Sequence, residues 1–537
     1  MSATVTMTGG EALVAALSAH GVDVVFGIPG THNLEIYKHL AEHGVRHVGT
    51  RHEQGAGYAA DGYARASGRP GVAVVTTGPA LLNTAAAVGQ AYSDSVPVLV
   101  VSPGLPLRHP ATGNGLLHEM KSQGTALAAV AAASLRPTSV SEIPTAVAQA
   151  FTIMTAGRPR PVHLEVPLDV LAETGPVTVT PPVPTAPALP PAALLEQAAA
   201  RLTAAVRPVI LAGGGSRAAA PELAAVAEAL GAPVVTTTNG KGVLPEDHPL
   251  ALGAGVHLPT VRDLVEGADV VLAVGTELAP ADLWHGALPV FGKLIRIDVD
   301  PIAIVTNAVP EVPLVGDARA VLRALLTGLT GPAAAQLRGE PCDLADVRAR
   351  KTRDAQAEGA EWLDLIEALG SVLPRETVVA ADNAMVCYFG AMTNLRTYTP
   401  GSFLFPTGFG TLGYGLPAGI GVKVAQPDRP VVALLGDGGV MFTVQELATA
   451  AELGLALPVV VVDNSGYGEI RNEMADRDDP IHAVTFRAPD FAALGRAMGC
   501  AGVTVTDLAE LAPAVAAALT SERPTVIHVR MPEKGSA

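Results

Sequence analysis

Two polar side chains, Asp437 and Asn464, each follow a run of branched apolar residues that is typical of a buried β-strand. The first run leads into a glycine turn, and an amphipathic helical pattern separates the two runs. Such a βαβ unit brings both loops to the carboxyl ends of parallel strands, where these sheets bind ligands. Carboxylate and amide oxygens are hard ligands that suit Mg²⁺, and glycines let a diphosphate approach the backbone. The residues predicted to form this site are Gly436, Asp437, Gly438, Gly439 and Asn464.

An ordinary βα turn whose aspartate caps the helix would also explain a lone Gly-Asp-Gly, because short motifs often match by chance. The asparagine at the end of the next predicted strand favours the ligand site over that alternative.

The pair resembles the GDG…NN signature of thiamine-diphosphate enzymes. Asp463 stands where that signature has its first asparagine, and Asn464 keeps the second, which ligates the metal in the family. The resemblance further implies that Gly466 offers its backbone carbonyl to the metal, and that the cofactors are thiamine diphosphate and Mg²⁺.

Glu53 stands in TRHEQGAGYAADGYAR, between a predicted strand and the helix that follows it. As an isolated residue it would be a first-turn glutamate that favours the helix dipole. In the family, the glutamate of a matching stretch hydrogen-bonds the cofactor's pyrimidine nitrogen and so promotes the imino base that removes the thiazolium proton. The resemblance assigns this catalytic role to Glu53 and predicts a desolvated carboxyl group with a raised pKa. It also implies that Glu53 reaches the cofactor of a neighbouring chain, with a homodimer as the minimal active unit or a homotetramer.

Three further loops resemble family segments that surround the cofactor. In FPTGFGTLGYGLP (405–417), Leu412 matches the apolar residue under the bent cofactor, and the Gly410 carbonyl matches the acceptor of the pyrimidine amine. The segments GIPG (27–30) and TTGPALLN (76–83) match those that close around the pyrimidine. The cofactor-binding residues that they imply are Pro29, Gly78 and Asn83.

Polar residues in two predicted active-site loops are candidates for substrate binding or proton transfer. As isolated residues, the two histidines would more often be ordinary surface side chains. GIPGTHNLE, LHEMKSQ, PTGFGTLGYGLP and GYGEI together are most similar to the 5-guanidino-2-oxopentanoate (2-ketoarginine) decarboxylases. Glu469, with Glu473 behind it, would suit a cationic substrate through a charge-assisted hydrogen bond. The predicted substrate residues are Thr31, His32, His118, Gln123 and Glu469.

The chain also departs from the acetolactate synthases of this family. Where they carry an Arg-Phe-Asp-Asp-Arg run associated with flavin, it reads GTELAPADLWHG from Gly275, which puts FAD in doubt. Their Gly-Gln-His near the diphosphate is DNAMVCY (382–388) here. The turn GGGSRA weakly resembles a dinucleotide fingerprint, but no acidic residue ends the next strand, VVTTTN, where a ribose would need one. This disfavours an NAD-dependent dehydrogenase.

The alternation of strand, glycine-rich loop and helix predicts an α/β protein with three domains, each a doubly wound parallel sheet. The proline-rich segment 176–191 is predicted to be neither strand nor helix. The predicted units are the pyrimidine-binding domain (1–172), a linker (173–191), the central domain (192–330), a second linker (331–355) and the diphosphate-binding domain (356–537).

Composition narrows the class of protein. Hydrophobic residues make up 49% of the 537-residue chain, which indicates well-buried globular domains. The formal net charge of −16 argues against a nucleic-acid partner held by phosphate contacts. The three cysteines lack ligand spacing, and neither a signal peptide nor a membrane span is predicted. These features predict a cytoplasmic protein with a small-molecule substrate.

The resemblance implies decarboxylation of a 2-oxo acid through the cofactor ylid and an enamine. Protonation of the enamine would give an aldehyde, whereas its attack on a second carbonyl would make the protein an acetolactate synthase. The missing flavin run and the polar loops favour the decarboxylase. A catalytically silent binding module is the alternative of another class, and the retention of Glu53, Asp437 and Asn464 argues against it.

Overall fold

The computed structural model describes residues 4–110, 113–329 and 343–531. These residues form three six-stranded sheets and one two-stranded sheet, and every pair within the larger sheets is parallel. The α/β fold with three sheet-based units is therefore confirmed. Cys342 and residues 331–342 of the second predicted linker lie outside the described residues.

The N-terminal sheet has the order β3-β2-β4-β5-β7-β6, and β1 pairs antiparallel with β8 beside it. Its strands are β1 (Val5–Thr8), β2 (Val24–Gly27), β3 (Arg46–Gly49), β4 (Gly71–Val74), β5 (Val98–Gly104), β6 (Ala133–Leu135), β7 (Val162–Pro167) and β8 (Thr174–Val177). Its helices are α1 (Gly9–Ala19), α2 (Leu34–Tyr37), α3 (Glu53–Ser67), α4 (Pro79–Ser93), α5 (Gln123–Ala128), α6 (Ile143–Thr155) and α7 (Leu168–Ala172).

The central sheet has the order β11-β10-β9-β12-β13-β14, which is the arrangement of many dinucleotide-binding folds. Its strands are β9 (Pro208–Ala212), β10 (Val234–Thr236), β11 (Ala251–Ala254), β12 (Val270–Val274), β13 (Leu294–Asp298) and β14 (Val312–Val315). Its helices are α8 (Ala192–Ala204), α9 (Ala220–Leu230), α10 (Pro259–Gly267), α11 (Pro280–Leu283) and α12 (Ala318–Leu329).

The C-terminal sheet has the order β16-β15-β17-β18-β20-β19. Its strands are β15 (Val378–Ala381), β16 (Phe403–Leu404), β17 (Val431–Gly436), β18 (Pro458–Asp463), β19 (Ala501–Val505) and β20 (Thr525–Arg530). The helices of this part are α13 (Leu344–Glu358), α14 (Leu363–Gly370), α15 (Met392–Asn394), α16 (Gly415–Ala425), α17 (Asp437–Val440), α18 (Glu446–Glu452), α19 (Gly468–Asp476), α20 (Phe491–Ala497) and α21 (Leu511–Leu519). A π-helix spans Val386–Ala391.

The N-terminal and C-terminal units share one apolar core, in which α3 packs on α16. Tyr58 of α3 and Leu416 of α16 are both fully buried in it. The helices approach so closely that a Cβ on Gly62 would lie 2.1 Å from the carbonyl oxygen of Ala418. Glycine is therefore required where the two backbones meet.

The structure corrects three expectations about elements. The segment 176–191 does begin in a strand, because Thr174–Val177 pairs with β1 at the other end of the domain. The described part of the second predicted linker is helical, since α13 begins at Leu344. The helical pattern after the glycine turn forms two short helices, α17 and α18, instead of one.

Candidate active site

Asp437, Asn464 and Gly466 come together at the carboxyl ends of the adjacent parallel strands β17 and β18. Asp437 begins α17 and is almost fully buried, and its Oδ2 accepts a hydrogen bond of 2.9 Å from the Gly466 amide. The Asn464 side-chain oxygen lies 3.1 Å from Asp437 Oδ1 and 2.9 Å from the Gly466 carbonyl oxygen. If the amide group rotated by 180°, its nitrogen would face these two oxygens and donate to both.

Three acceptor oxygens at this spacing fit a small cation. In octahedral coordination with Mg–O distances of about 2.0–2.1 Å, neighbouring ligand oxygens lie about 2.9 Å apart. One carboxylate, one amide and one carbonyl are few protein ligands, as Mg²⁺ prefers when phosphates supply others. Among the described residues, no group of three His, Cys, Asp or Glu side chains offers another metal site.

The glycine at position 466 is needed for this geometry. Its φ is +148°, in the region that side chains rarely adopt, and an added Cβ would lie 2.1 Å from the Val484 carbonyl oxygen. Position 466 therefore has to be glycine if its carbonyl group is to face Asp437 and Asn464.

Asp463, which replaces an asparagine of the family signature, lies beside Asp437. Burial, and then the charge of Asp463, raise the pKa of Asp437 to about 6. Burial opposes ionisation of Asp463 too, but the hydrogen bond from His528, with Nε2 2.9 Å from Oδ2, helps to hold the pKa of Asp463 below its usual value. A cation at Asp437 would relieve the repulsion between the two carboxylates.

The loop that contains Gly410 and Leu412 is held by the segment after β15. The fully buried carboxylate of Asp382 accepts the Gly413 amide at 2.9 Å and 3.1 Å, and Asn383 Nδ2 donates to the Thr411 carbonyl oxygen at 3.0 Å. Burial raises the pKa of Asp382 to about 6. Gly410 is exposed with a φ of +68°, and Leu412 is half-buried.

Glu53 and Asn83 are brought together in the N-terminal unit. Glu53 is the first residue of α3, and its Oε2 accepts a 2.9 Å hydrogen bond from Asn83 Nδ2 of α4. Glu53 is only partly buried within the single chain. Its own chain therefore does not bury the Glu53 side chain as fully as the sequence predicted.

The loops after β2 and β5 place two histidines side by side. The imidazole rings of His32 and His118 lie 5.3 Å apart, edge to face. Thr77 Oγ1 lies between them, 2.5 Å from His32 Nδ1 and 3.4 Å from His118 Nδ1. Burial, followed by the neighbouring His118, lowers the pKa of His32. Imidazoles linked by a hydroxyl can take up and release protons.

The remaining predicted residues lie around these clusters. Gln123 is buried, and its Oε1 accepts the Gly78 amide at 2.7 Å, whereas Pro29 and Thr31 are exposed on the loop after β2. Glu469 lies in the first turn of α19, and its carboxylate accepts a hydrogen bond from Tyr388 of the π-helix.

A cavity of about 660 Å³ opens at the carboxyl ends of the central strands. Its wall includes Gly275 to Glu277, the beginning of the segment that differs from the flavin-binding run. The ionisable side chains among its lining residues are Arg65, Asp94, Arg158, Arg217, Glu277, Asp282, Asp298 and Asp317. None of the described lining residues is aromatic, so the wall offers little to a flavin ring. This lining agrees with the doubt about FAD that the sequence raised.

Several residues of the site were missed by sequence reasoning. Thr77, Asp382, Tyr388 and Glu446 make contacts that depend on distant segments. Asp382 did carry a signal, because it follows a buried strand in the same way as Asp437. The others carried none that could be separated from ordinary loop or helix residues.

Among the described residues, no helix has the length and apolar character needed to cross a membrane. Three family models match the chain: the N-terminal TPP binding domain of thiamine pyrophosphate enzymes over residues 7–125, their central domain over 195–325, and their C-terminal TPP binding domain over 385–529.

The chain is 44% identical to the probable 2-ketoarginine decarboxylase AruI of Pseudomonas aeruginosa, over 98% of this chain and 94% of that protein. It is 34% identical to a probable acetolactate synthase large subunit of Methanocaldococcus jannaschii, over 97% and 92%. It is also 32% identical to the acetolactate synthase isozyme 2 large subunit of Escherichia coli, over 98% and 96%. Because the three family models match most of the chain in the same domain order, the chain belongs to the thiamine-diphosphate-dependent enzymes.

Proposed function

We propose that this enzyme uses thiamine diphosphate and Mg²⁺ to decarboxylate a 2-oxo acid without oxidation. The observation that carries the proposal is the meeting of three acceptor oxygens, from Asp437, Asn464 and Gly466, at the end of β17 and β18. These atoms would hold Mg²⁺ and, through it, the cofactor's diphosphate. The turn of Gly436, Gly438 and Gly439 would let the diphosphate approach the backbone.

Glu53 is proposed as the residue that hydrogen-bonds the cofactor's pyrimidine nitrogen, with Asn83 orienting its carboxyl group. The loop with Gly410 and Leu412 would keep the cofactor bent, and the segments with Pro29 and Gly78 would close around the pyrimidine. When bound, the cofactor supplies the electron sink for the pair left behind by CO₂. The protein's part is to orient that cofactor and to exclude water.

The cluster of His32, Thr77 and His118 supports decarboxylation over carboligation. A decarboxylase must deliver a proton to the carbon that has lost CO₂, whereas a carboligase must admit a second carbonyl compound. Burial and then His118 lower the pKa of His32, which favours its neutral form, and the two rings lie close enough to pass a proton through Thr77. Thr31 and Gln123 would line the same crevice.

5-Guanidino-2-oxopentanoate is the proposed substrate, in line with the name of the relative that is 44% identical. Its guanidinium group needs an acidic partner. Burial and the neighbouring Glu473 raise the pKa of Glu469, which is also hydrogen-bonded to Tyr388. A bound guanidinium would offset this repulsion and form a charge-assisted hydrogen bond.

A homodimer is proposed as the minimal active unit, and a homotetramer is the larger alternative. The partial burial of Glu53 in the single chain supports a second chain over this site. The cytoplasmic location and the lack of a nucleic-acid partner stay predictions.

The test is CO₂ release by the purified protein with thiamine diphosphate and Mg²⁺, on a panel of pyruvate, branched-chain 2-oxo acids and 5-guanidino-2-oxopentanoate, with products identified. We expect a preference for the guanidino acid and an aldehyde product. Pyruvate turnover to acetolactate would favour the synthase alternative, which the acetolactate synthase relatives support. No turnover on any acid, with the cofactor bound, would favour a binding module.

A further inference from the structure

Glu446, which has no part in the proposed chemistry, reaches across the chain to the segment before Glu53. It is the first residue of α18 and is fully buried. Its Oε1 accepts the backbone amides of Arg51 at 3.0 Å and His52 at 2.9 Å. Its Oε2 accepts the Thr449 hydroxyl at 2.7 Å. The carboxylate therefore holds the two residues that directly precede α3.

The fit of this carboxylate against α3 is tight. A Cβ on Gly55, in the first turn of the helix, would lie 2.4 Å from Glu446 Oε1. The Arg51 side chain turns away to Glu452, so Glu446 is bound chiefly by backbone amides and a hydroxyl. Burial raises its pKa to about 6. An acceptor this deeply buried is costly to place unless it is satisfied, so its position is well defined.

The opposite unit makes the reciprocal contact. Asp94, at the end of α4, is almost fully buried and accepts the amides of Gly408 at 3.2 Å and Thr407 at 3.4 Å. Those residues belong to the loop that carries Gly410. Counted in chain order within its six-stranded sheet, each of these carboxylates lies in the connection after the third strand. Each binds the segment that follows the second strand of the other unit's sheet.

We propose that Glu446 is a positioning residue for Glu53. By fixing the Arg51 and His52 amides, it sets where α3 begins and so where the Glu53 carboxyl group stands. This inference rests on the proposed function of Glu53, and it goes beyond that function by assigning the control of its geometry to the other unit. Removal of the Glu446 carboxylate lets the start of α3 fray while Asp437 and Asn464 keep their places.

The first experiment is amide hydrogen exchange on the cofactor-free chain, comparing the wild type with Glu446→Ala and Glu446→Gln. We expect faster exchange at Arg51 and His52 in Glu446→Ala, and a smaller increase in Glu446→Gln, which keeps one acceptor oxygen. Glu452→Gln is the matched control, because this exposed carboxylate on the same helix pairs with the Arg51 side chain and not with the Arg51 and His52 amides, which it should leave unchanged. Unchanged exchange in both Glu446 variants would overturn the proposal.

The second experiment follows hydrogen–deuterium exchange at C2 of bound thiamine diphosphate, a step that requires Glu53 but no substrate. We expect Glu446→Ala to slow it by about 10- to 100-fold, as a misplaced catalytic group does, with unchanged affinity for the cofactor and Mg²⁺. Partial recovery in Glu446→Gln would support positioning. A normal C2 exchange rate despite faster amide exchange would overturn it. If even the wild type fails to bind the cofactor or accelerate this exchange, the proposed function fails instead, and the amide data still report on the contact.

Discussion

The N-terminal and C-terminal sheets order their strands alike but present different groups at equivalent loops. When the strands of each six-stranded sheet are numbered in chain order, both of these sheets have the spatial order 2-1-3-4-6-5, whereas the central sheet has the order 3-2-1-4-5-6. After its third strand, the N-terminal sheet presents the Thr77 hydroxyl between two imidazoles, and the C-terminal sheet presents the Asp437 carboxylate. One strand order therefore carries a histidine–hydroxyl cluster in one unit and a group of acceptor oxygens in the other, because the loops and not the strand order supply these groups.

This difference predicts that variants at the two sites fail in different ways. Changes at the N-terminal site should slow the chemistry while the cofactor still binds. Changes at the C-terminal site should weaken binding of the metal and cofactor. A variant that fails in the manner of the other site would break the comparison.

The largest effect is expected for Glu53→Gln. Loss of the acidic group should lower kcat by about 10²- to 10⁴-fold, since general acid–base groups contribute that much, while the affinity for thiamine diphosphate and Mg²⁺ changes little. Steady-state rates and cofactor titration measure the two quantities. Glu35→Gln, a half-buried glutamate of the same unit whose carboxylate pairs with Lys38, is the control. Near-normal turnover in Glu53→Gln would refute its catalytic role.

Asp437→Asn should fail in the opposite manner. Replacing the carboxylate with an amide removes the negative charge at the metal site, so the apparent Mg²⁺ affinity should fall by about 100-fold or more, because changes even outside the ligand set cost about 10- to 100-fold. Magnesium titration of cofactor binding measures this, with the exposed Asp428→Asn before the same strand as control. Wild-type magnesium affinity would remove Asp437 from the metal site.

Gly466→Ala should weaken the same site through the backbone. A residue forced into this φ region costs about 1–3 kcal/mol, and the Val484 carbonyl oxygen leaves no room for the added Cβ. Denaturant unfolding of the cofactor-free chain should show a stability loss of that size, together with weaker Mg²⁺ binding. Gly157→Ala is the control, because its Cβ would meet open space. Equal stability of the two variants would contradict the strained geometry.

The smallest effect concerns the protonation of His32. Its pKa is lowered by burial and then by His118, so nuclear magnetic resonance should show it titrating below the ordinary range of a histidine. As the pH falls, His32 is protonated in the unfolded chain before it is protonated in the folded chain. The group therefore lowers the free energy of unfolding at acidic pH, and it has no such effect at a pH well above the ordinary pKa of histidine. His118→Asn should raise the pKa of His32. An unchanged titration would show that the pair does not interact.

The sequence predicted the elements best where one strong periodicity covered a whole segment. Runs such as VVALL and PVVVV are typical of strands buried on both faces, and β17 and β18 confirm that prediction. Prediction failed at β8, because the partner that makes Thr174–Val177 a strand lies at the start of the chain. It also failed after Asp437, where the pattern of one amphipathic helix covers two short helices.

By itself, the sequence determined the α/β class, the glycine turn with Asp437, and the position of Asn464 at the next strand end. Those features are local, since side-chain periodicity fixes which residues are buried and where each strand ends. Only the tertiary structure decided that Thr77 lies between His32 and His118, and that Glu446 holds the amides before Glu53. Such contacts join segments up to hundreds of residues apart, and they depend on strand order and domain packing, which no local pattern specifies.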